Sequence, residues 1–385
     1  MKESPLKPLH AYAIDPQTGF VPAVDPLPRL PEAFLAWEDI IPRLSALIRS
    51  RRLRMALSEL PVLDPIELVA PRERERALLL LSVFANAWVW GGKEPNLRIP
   101  AQIAVPLCAV SNVLQRPPIV HYASMALNNW CRVDSRLSLS ADNSRMQVQF
   151  LGGVDEDWFF TASIGVELAG AALLPNLHGA VNCSHHDSDE VLTTLLQLMI
   201  VSMHQLLVAL ERMREWCLPY IFYHRVRVFL RGWPSPGAIY EGVSETPRQY
   251  VGGSAAQSSL IQVMDALLGV QHSGEATGSY LRAMRRYMPI GHRQFLETVE
   301  QNSRVRERAE HGSPALRTAY NELVARVAEF RLHHIGLAYD YIAKPSGLTD
   351  SKKGTGDTDF ANFLRNSHAE TEDTVIIAAQ CGGDR

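Results

Sequence analysis

From Pro31 onward the chain repeats apolar residues at spacings of three and four, the period of an amphipathic helix rather than of a strand. "PEAFLAWEDIIPRLSALIRSRRLRMALSEL" and "RERERALLLLSVFANAWVW" both follow it. "DSDEVLTTLLQLMIVSMHQLLVALERMREW" predicts one long helix, with Asp187 and Glu190 in capping-box spacing at its start. "PPIVHYASMALNNW" at 117–130 places a proline pair where a helix N-terminus would use one. Only "SRMQVQFLGG" at 144–153 alternates, predicting a short strand or a connection before its glycine pair. The first thirty residues hold six prolines and predict an extended, irregular arm. A last helical piece is expected near 358–380. The class is mainly α, with a boundary near 150 separating a small, mostly helical N-terminal lobe (1–150, with room for a short strand pair) from a large helical lobe (151–385).

Inside the helical pattern, "EFRLHHIGLAYDYI" at 329–342 sets two histidines side by side. Ser313 is a plausible N-cap with Pro314 at the first helical position. From there Leu316, Tyr320, Leu323, Val327, Phe330, His334, Leu337 and Tyr341 recur at alternating steps of four and three, one inward seam that includes His334. His333 falls among Arg326, Glu329 and Asp340 and is expected to face water. An inward imidazole has two readings: a core histidine bonded to a carbonyl, or an iron ligand. Gly336, a mid-helix residue that costs about 1 kcal/mol against Ala, would suit either a flat group or a neighbouring helix packed against it.

Composition narrows the function. The 385 residues carry a formal net charge of −3, from 38 basic and 41 acidic side chains, which argues against nucleic acid or an anionic membrane as partner. The runs "RSRRLR" and "RERER" read as the solvated sides of helices. Five cysteines without a C-x-x-C fit reduced thiols in a cytoplasmic protein. The N-terminus lacks the apolar core of a signal peptide, and "ALLLLSVFANAWVW" is too short to span a bilayer.

Several stretches carry candidate chemistry. In "LPYIFYHRVRVFLRGW", Arg227 lies five residues beyond Phe222 and four beyond Tyr223, so one face can hold an aromatic wall and a guanidinium suited to gripping a carboxylate. An arginine snorkelling outward from an aromatic core fits equally well. "YVGGSAAQSSLIQVMDALLG" offers small residues that allow close backbone approach, or a plain turn capped by Ser254. "KKGTGDTDF" lacks the phosphate-cradle spacing and is expected to form a lid over 351–360. "HHDSD" at 185–189 reads as a helix start, not a metal tract. No G-x-S-x-G, H-E-x-x-H or dinucleotide fingerprint occurs.

"RIPAQIAVPLC", "PPIVHYASMALNNW", "YEGVSETPRQYVGGSAAQSSLIQVMDALLGVQH", "MRRYMPIGHRQFL" and "KGTGDTDFANFLR" resemble the indoleamine 2,3-dioxygenase family in wording and order, over nearly the whole chain. The resemblance implies a small N-terminal lobe over a large helical lobe, with heme b between them. It implies His334 as the proximal iron ligand, Ser254 and Ala255 against the heme, and an Arg331–Asp265 pair as scaffolding. It places Tyr122, Met125, Phe159, Ser163, Phe222, Tyr223 and Arg227 at the substrate pocket, with Gly354 and Thr355 in the closing loop. None of these is implied as a clear acid or base.

Three positions depart from the animal members: Tyr223 stands where they carry a second Phe, Met125 where they carry Cys, and Asp357 where the loop has another Gly. The implied reaction inserts dioxygen across the indole C2–C3 bond of L-tryptophan, giving N-formylkynurenine, the first step of tryptophan catabolism. Another indole as substrate, or a catalytically silent heme sensor, are the rival readings. The implied partners are tryptophan, dioxygen and an electron donor that keeps the iron ferrous, and the chain is expected to act as a monomer.

Overall fold

The computed structural model describes residues 5–184, 188–272, 274–347 and 360–377. Helix outweighs strand, 62% against 5%, so the fold is mainly α. The helices of ten residues or more are α1 (Pro71–Trp90), α2 (Ala101–Leu114), α3 (Val154–Gly170), α4 (Leu173–Cys183), α5 (Asp189–Glu211), α6 (Ser259–Leu268), α7 (Glu275–Arg285), α8 (Ile290–Asn302), α9 (Pro314–Ala338) and α10 (Phe360–Glu372).

α9 starts where the sequence sets it to start. Ser313 Oγ accepts the Leu316 N–H, and Pro314 occupies the first position. Its seam is inward throughout: Leu316, Tyr320, Leu323 and Val327 are fully buried, and Phe330, Leu337 and Tyr341 nearly so. α9 packs along α5, with α10 on another side. α5 is capped by Ser188, whose Oγ accepts from Val191; Asp187, named from the capping-box spacing, lies outside the described residues together with His185 and His186. Asp189 and Glu190 instead occupy the first turn, where they favour the helix dipole.

α1 is buried on every face from Arg76 to Val89, which makes it a central helix. The solvated-face reading of "RERER" therefore fails at Arg76. Its guanidinium is 4% exposed, reaches Glu38 in a bidentate pair at 2.9 and 2.7 Å, and donates to Gln147. A charge taken out of water needs such partners. Arg54, from the other basic run, folds over the end of α1 and donates to the Trp88 and Val89 carbonyls. The N-terminal arm is irregular but not loose: Leu6, Ile14 and Phe20 are buried, and the Tyr12 ring packs 5.3 Å from Phe295 of α8, tilted by 57°.

The strands are short. β2 (Trp130–Arg132) and β3 (Ser144–Met146) pair antiparallel, and β1 (Arg98–Ile99) runs parallel to β4 (Ala238–Tyr240), which pairs antiparallel with β5 (Ser244–Arg248). The alternation after Met146 does not continue as a strand, because the Phe150, Leu151 and Gly152 amides donate to Glu156 at the start of α3. The main buried core runs from Leu6 to Tyr341, and a second, small cluster gathers Val21, Ala123, Leu127, Trp130 and Ile164. Two stretches, Val154–Cys183 and Asp189–Trp216, are long and apolar enough to cross a bilayer. Core helices of a bundle pass the same test, and these two pack on each other.

The expected helix at 117–130 is only a π turn, Ala123–Leu127, whose Ala123 carbonyl accepts from Asn128 Nδ2. Two further π turns are Phe222–Val226 and Tyr339–Ala343. All three border the same cavity, and such turns recur at functional sites.

Candidate active site

A cavity of about 320 Å³ lies among α3, α6, α9, α10 and the π turns. α9 turns Phe330, His334 and Leu337 to it, consecutive members of the inward seam. No described group pairs with the His334 ring, and its remaining exposure is consistent with its place on the cavity wall. Burial, with Arg331 adding to it, lowers the His334 imidazole from 6.5 to about 4, so the ring is neutral. The core-histidine reading required a carbonyl partner, and none is present among the described residues. His333 points away, with its Nδ1 2.8 Å from Glu211 of α5. Among the described residues Gly336 meets no neighbour where a Cβ would stand, and it does not line the cavity, so neither packing reason accounts for it there.

Near His334 a charged chain joins three helices and the loop that follows α6. Arg331 pairs with Asp265 of α6 at 2.6 Å, His272 Nε2 lies 3.2 Å from the same carboxylate, and His272 Nδ1 lies 2.7 Å from Glu370 of α10. Glu370 also accepts the Gly274 amide. Burial pulls the His272 imidazole down, but Asp265 and Glu370 outweigh it and raise the ring above 6.5. The sequence resemblance pointed to Arg331 and Asp265. It gave no sign of His272 or Glu370, which sit 98 residues apart and meet only through the fold.

Another wall is aromatic. Phe159 and Phe222 pack with their ring centroids 4.5 Å apart and the planes tilted by 36°, and Tyr341 lies 5.8 Å from Phe222. α3 supplies Phe159, Ser163 and Glu167 at successive steps of four, one helical face. The π winding explains the next pair. The Arg227 N–H donates to the Phe222 carbonyl, five residues back, so Phe222 and Arg227 share the cavity face. Arg227 is 5% exposed, which excludes the snorkelling reading. Burial, with Arg231 beyond it, lowers its guanidinium to about 10, still charged at neutral pH. Tyr223 does not line the cavity; its ring lies 5.3 Å from the Arg227 guanidinium, a cation–π contact on the far side.

The hydroxyls here are committed. Ser163 Oγ donates to the Phe159 carbonyl at 2.9 Å, and Tyr122 OH donates to Glu167 at 2.9 Å, with Ser258 donating to the same carboxylate at 2.6 Å. Burial and Glu167 push the Tyr122 phenol well above 10. The turn Gly253–Ala256 forms a low rim of small residues, with Ser254 capping the 3-10 turn Ala255–Gln257. Gly252 faces the Leu230 carbonyl too closely for any Cβ, so that glycine serves backbone contact rather than a ligand.

Tyr122, Met125, Phe159, Ser163, Phe222, Arg227, Ser254, Ala255, Asp265, Arg331 and His334 thus all line one cavity. Gly354, Thr355 and Asp357 lie outside the described residues, as does the expected lid apart from Phe360. Sequence reading passed over several lining residues, His121 and Glu167 among them. A histidine inside "PPIVHYASMALNNW" and a lone acid inside "TASIGVELAGAALL" were the available signals.

Among the described residues no three His, Cys, Asp or Glu side chains gather as a metal cage. A metal here would be held by one imidazole, His334, with a flat macrocycle supplying the rest, and the small-residue rim suits such a group. These walls define a cavity of small-molecule size inside a helical bundle, with a neutral imidazole on one wall and a buried guanidinium on another. A family model for indoleamine 2,3-dioxygenase matches residues 8–374. The chain is 35% identical to indoleamine 2,3-dioxygenase nanC of Aspergillus nanangensis, over 96% of this chain and 97% of that protein. It is 36% identical to indoleamine 2,3-dioxygenase acdA of Aspergillus candidus (92% and 94%) and 33% identical to indoleamine 2,3-dioxygenase 1 of Rattus norvegicus (96% and 96%). The chain therefore belongs to the indoleamine 2,3-dioxygenase family.

Proposed function

We propose that this protein is a heme-dependent dioxygenase that adds both atoms of dioxygen across the indole C2–C3 bond of L-tryptophan, giving N-formylkynurenine. The observation that carries the reading is a neutral imidazole, unpaired among the described residues, and a buried guanidinium on the wall of one aromatic cavity. His334 would hold the iron of heme b, with Ser254 and Ala255 against the macrocycle and the Arg331–Asp265 pair fixing α9 against α6. Heme, when bound, supplies ferrous iron for dioxygen.

The chain's own contribution is positioning. Arg227 takes the substrate carboxylate, its guanidinium held from behind by the Tyr223 ring. Phe159 and Phe222 pack the indole ring, and the apolar wall around them excludes water. Neither hydroxyl serves as a base: Ser163 and Tyr122 both donate to fixed acceptors, and the Tyr122 phenol holds its proton. Purified, heme-loaded, reduced protein given L-tryptophan under labelled dioxygen is expected to yield a product carrying two labelled atoms. Tryptophan left intact while another indole is oxidised would replace the substrate and keep the class. Heme bound with no indole oxidised would overturn the reading.

A further inference from the structure

α5 buries one side and leaves the other open. It packs against α3, α4 and α9, yet only 33% of its most apolar 18-residue stretch lies inside the protein. From Val191 to Leu210 the helix carries no Asp, Glu, Lys or Arg. The solvent side of a surface helix ordinarily carries such charges. Here it carries Val191, Leu198, Val201 and Val208, exposed by 45, 48, 60 and 55%, with exposed Thr194 and Gln205 between them. An apolar stripe left open along a helix marks an interaction surface.

The spacing selects the partner. The six positions recur at steps of three, four, three, four and three, the seam by which one helix packs along another. Over its length of about 26 Å such a seam stays on one side of a straight helix. It also reads the same in both directions. A two-fold axis level with the Met199–Ile200 junction sets Val191 against Val208 of the other copy, Thr194 against Gln205, and Leu198 against Val201. Antiparallel pairing thus brings apolar to apolar and polar to polar, as a self-complementary interface requires. The Thr194 hydroxyl donates to the Glu190 carbonyl at 2.9 Å, which leaves its lone pairs for the Gln205 amide across the axis. An unrelated partner gives no reason for the spacing to reverse onto itself. A helix lying in a bilayer surface keeps Lys and Arg beside its apolar face, and this stretch has none.

We infer that two copies of this chain pair antiparallel through the α5 seam, forming a reversible homodimer in place of the monomer expected from the sequence. A single helix face lies at the small end of stable interfaces, so the dissociation constant is expected on the order of 10 μM.

The test is sedimentation velocity of the full chain, over two decades of concentration around that value, for wild type, Val201→Glu and Thr194→Glu/Gln205→Lys. Wild type is expected to pass from monomer to dimer. Val201→Glu buries an unpaired carboxylate against Leu198 of the other copy and should weaken pairing about 100-fold or more, leaving monomer throughout. The double variant sets a carboxylate against an ammonium twice across the axis and should dimerise at least as well as wild type. Parallel pairing would instead set like charges together. The unfolding midpoint should rise with concentration in wild type and stay level in Val201→Glu, the two meeting where both are monomers. Should Val201→Glu fall below wild type there, Val191→Lys/Val208→Lys carries the test, since it repels at both ends of the seam and leaves the centre alone. A dimer that survives these repulsive substitutions, or a double variant that stays monomeric, would overturn the inference. So would a wild type that is monomeric throughout. Binding of that monomer to phosphatidylglycerol vesicles, lost in Val201→Glu, would then give the face to a membrane.

Discussion

On one wall of the cavity α9 carries Phe330, His334 and Leu337 along an uninterrupted helical seam, backed by the chain Arg331, Asp265, His272, Glu370. On another, Tyr122, Met125, Phe222 and Arg227 come from chain wound in or beside π turns and are backed by tilted ring contacts and hydroxyl bonds. The regular wall is set by ion pairs between helices, and a side chain's place follows from counting residues. The irregular wall is set by local rewinding that aligns positions five apart. Disturbing the first should therefore cost stability, and disturbing the second should cost ligand affinity.

The sharpest break is expected at Asp265. Asp265→Ala leaves Arg331 as an uncompensated, nearly buried charge, and should destabilise the fold by about 3–5 kcal/mol, read from denaturant unfolding of the holoprotein. A loss under about 1 kcal/mol would mean that the regular wall is not held by its ion pairs. Arg227→Gln comes next. It should weaken L-tryptophan by about 10- to 150-fold, the worth of a hydrogen bond to a charged group at about 1.5–3 kcal/mol, with retained heme and unfolding midpoint. Equal weakening of tryptamine would remove Arg227 from the carboxylate.

The smallest effect concerns pH. The folded protein holds the His272 proton more tightly than the unfolded chain, because Asp265 and Glu370 outweigh burial. The stability it adds is full below about pH 6.5 and fades as pH rises through the raised folded value. His272→Gln should remove that slope from the unfolding midpoint across neutral pH, whereas a slope that survives the substitution belongs to another group. Glu370→Gln should reduce the same slope by lowering the ring towards its ordinary value.

The contrast between the walls also explains what could be read in advance. The α9 seam, its Ser313 cap and the inward His334 follow from periodicity, because a straight helix converts spacing directly into direction. Arg227 was visible only as a choice between clamp and snorkel, since a π turn changes which spacing means "same face". His272 and Glu370 escaped altogether: their meeting depends on how α10 docks against α9 and α7, and nothing local encodes it. The helix expected at 117–130 failed for a related reason, the Asn128 side chain taking a carbonyl that a regular turn would use. The buried Arg76 shows the converse, a charge run that composition places in water and the packing of α1 encloses.

The central claim is that this cavity binds heme through His334 and through neither its neighbour nor a nonspecific apolar surface. The direct measurement is titration of the apoprotein with hemin, followed by the visible spectrum of the reduced complex, for wild type, His334→Ala and His333→Ala. The account predicts that His334→Ala abolishes or greatly weakens uptake and that added imidazole restores the spectrum of a nitrogen-ligated iron. His333→Ala, which removes only a half-exposed contact to Glu211, should bind heme as the wild type does. Equal heme loss in both variants, or unchanged ligation in His334→Ala, would contradict it.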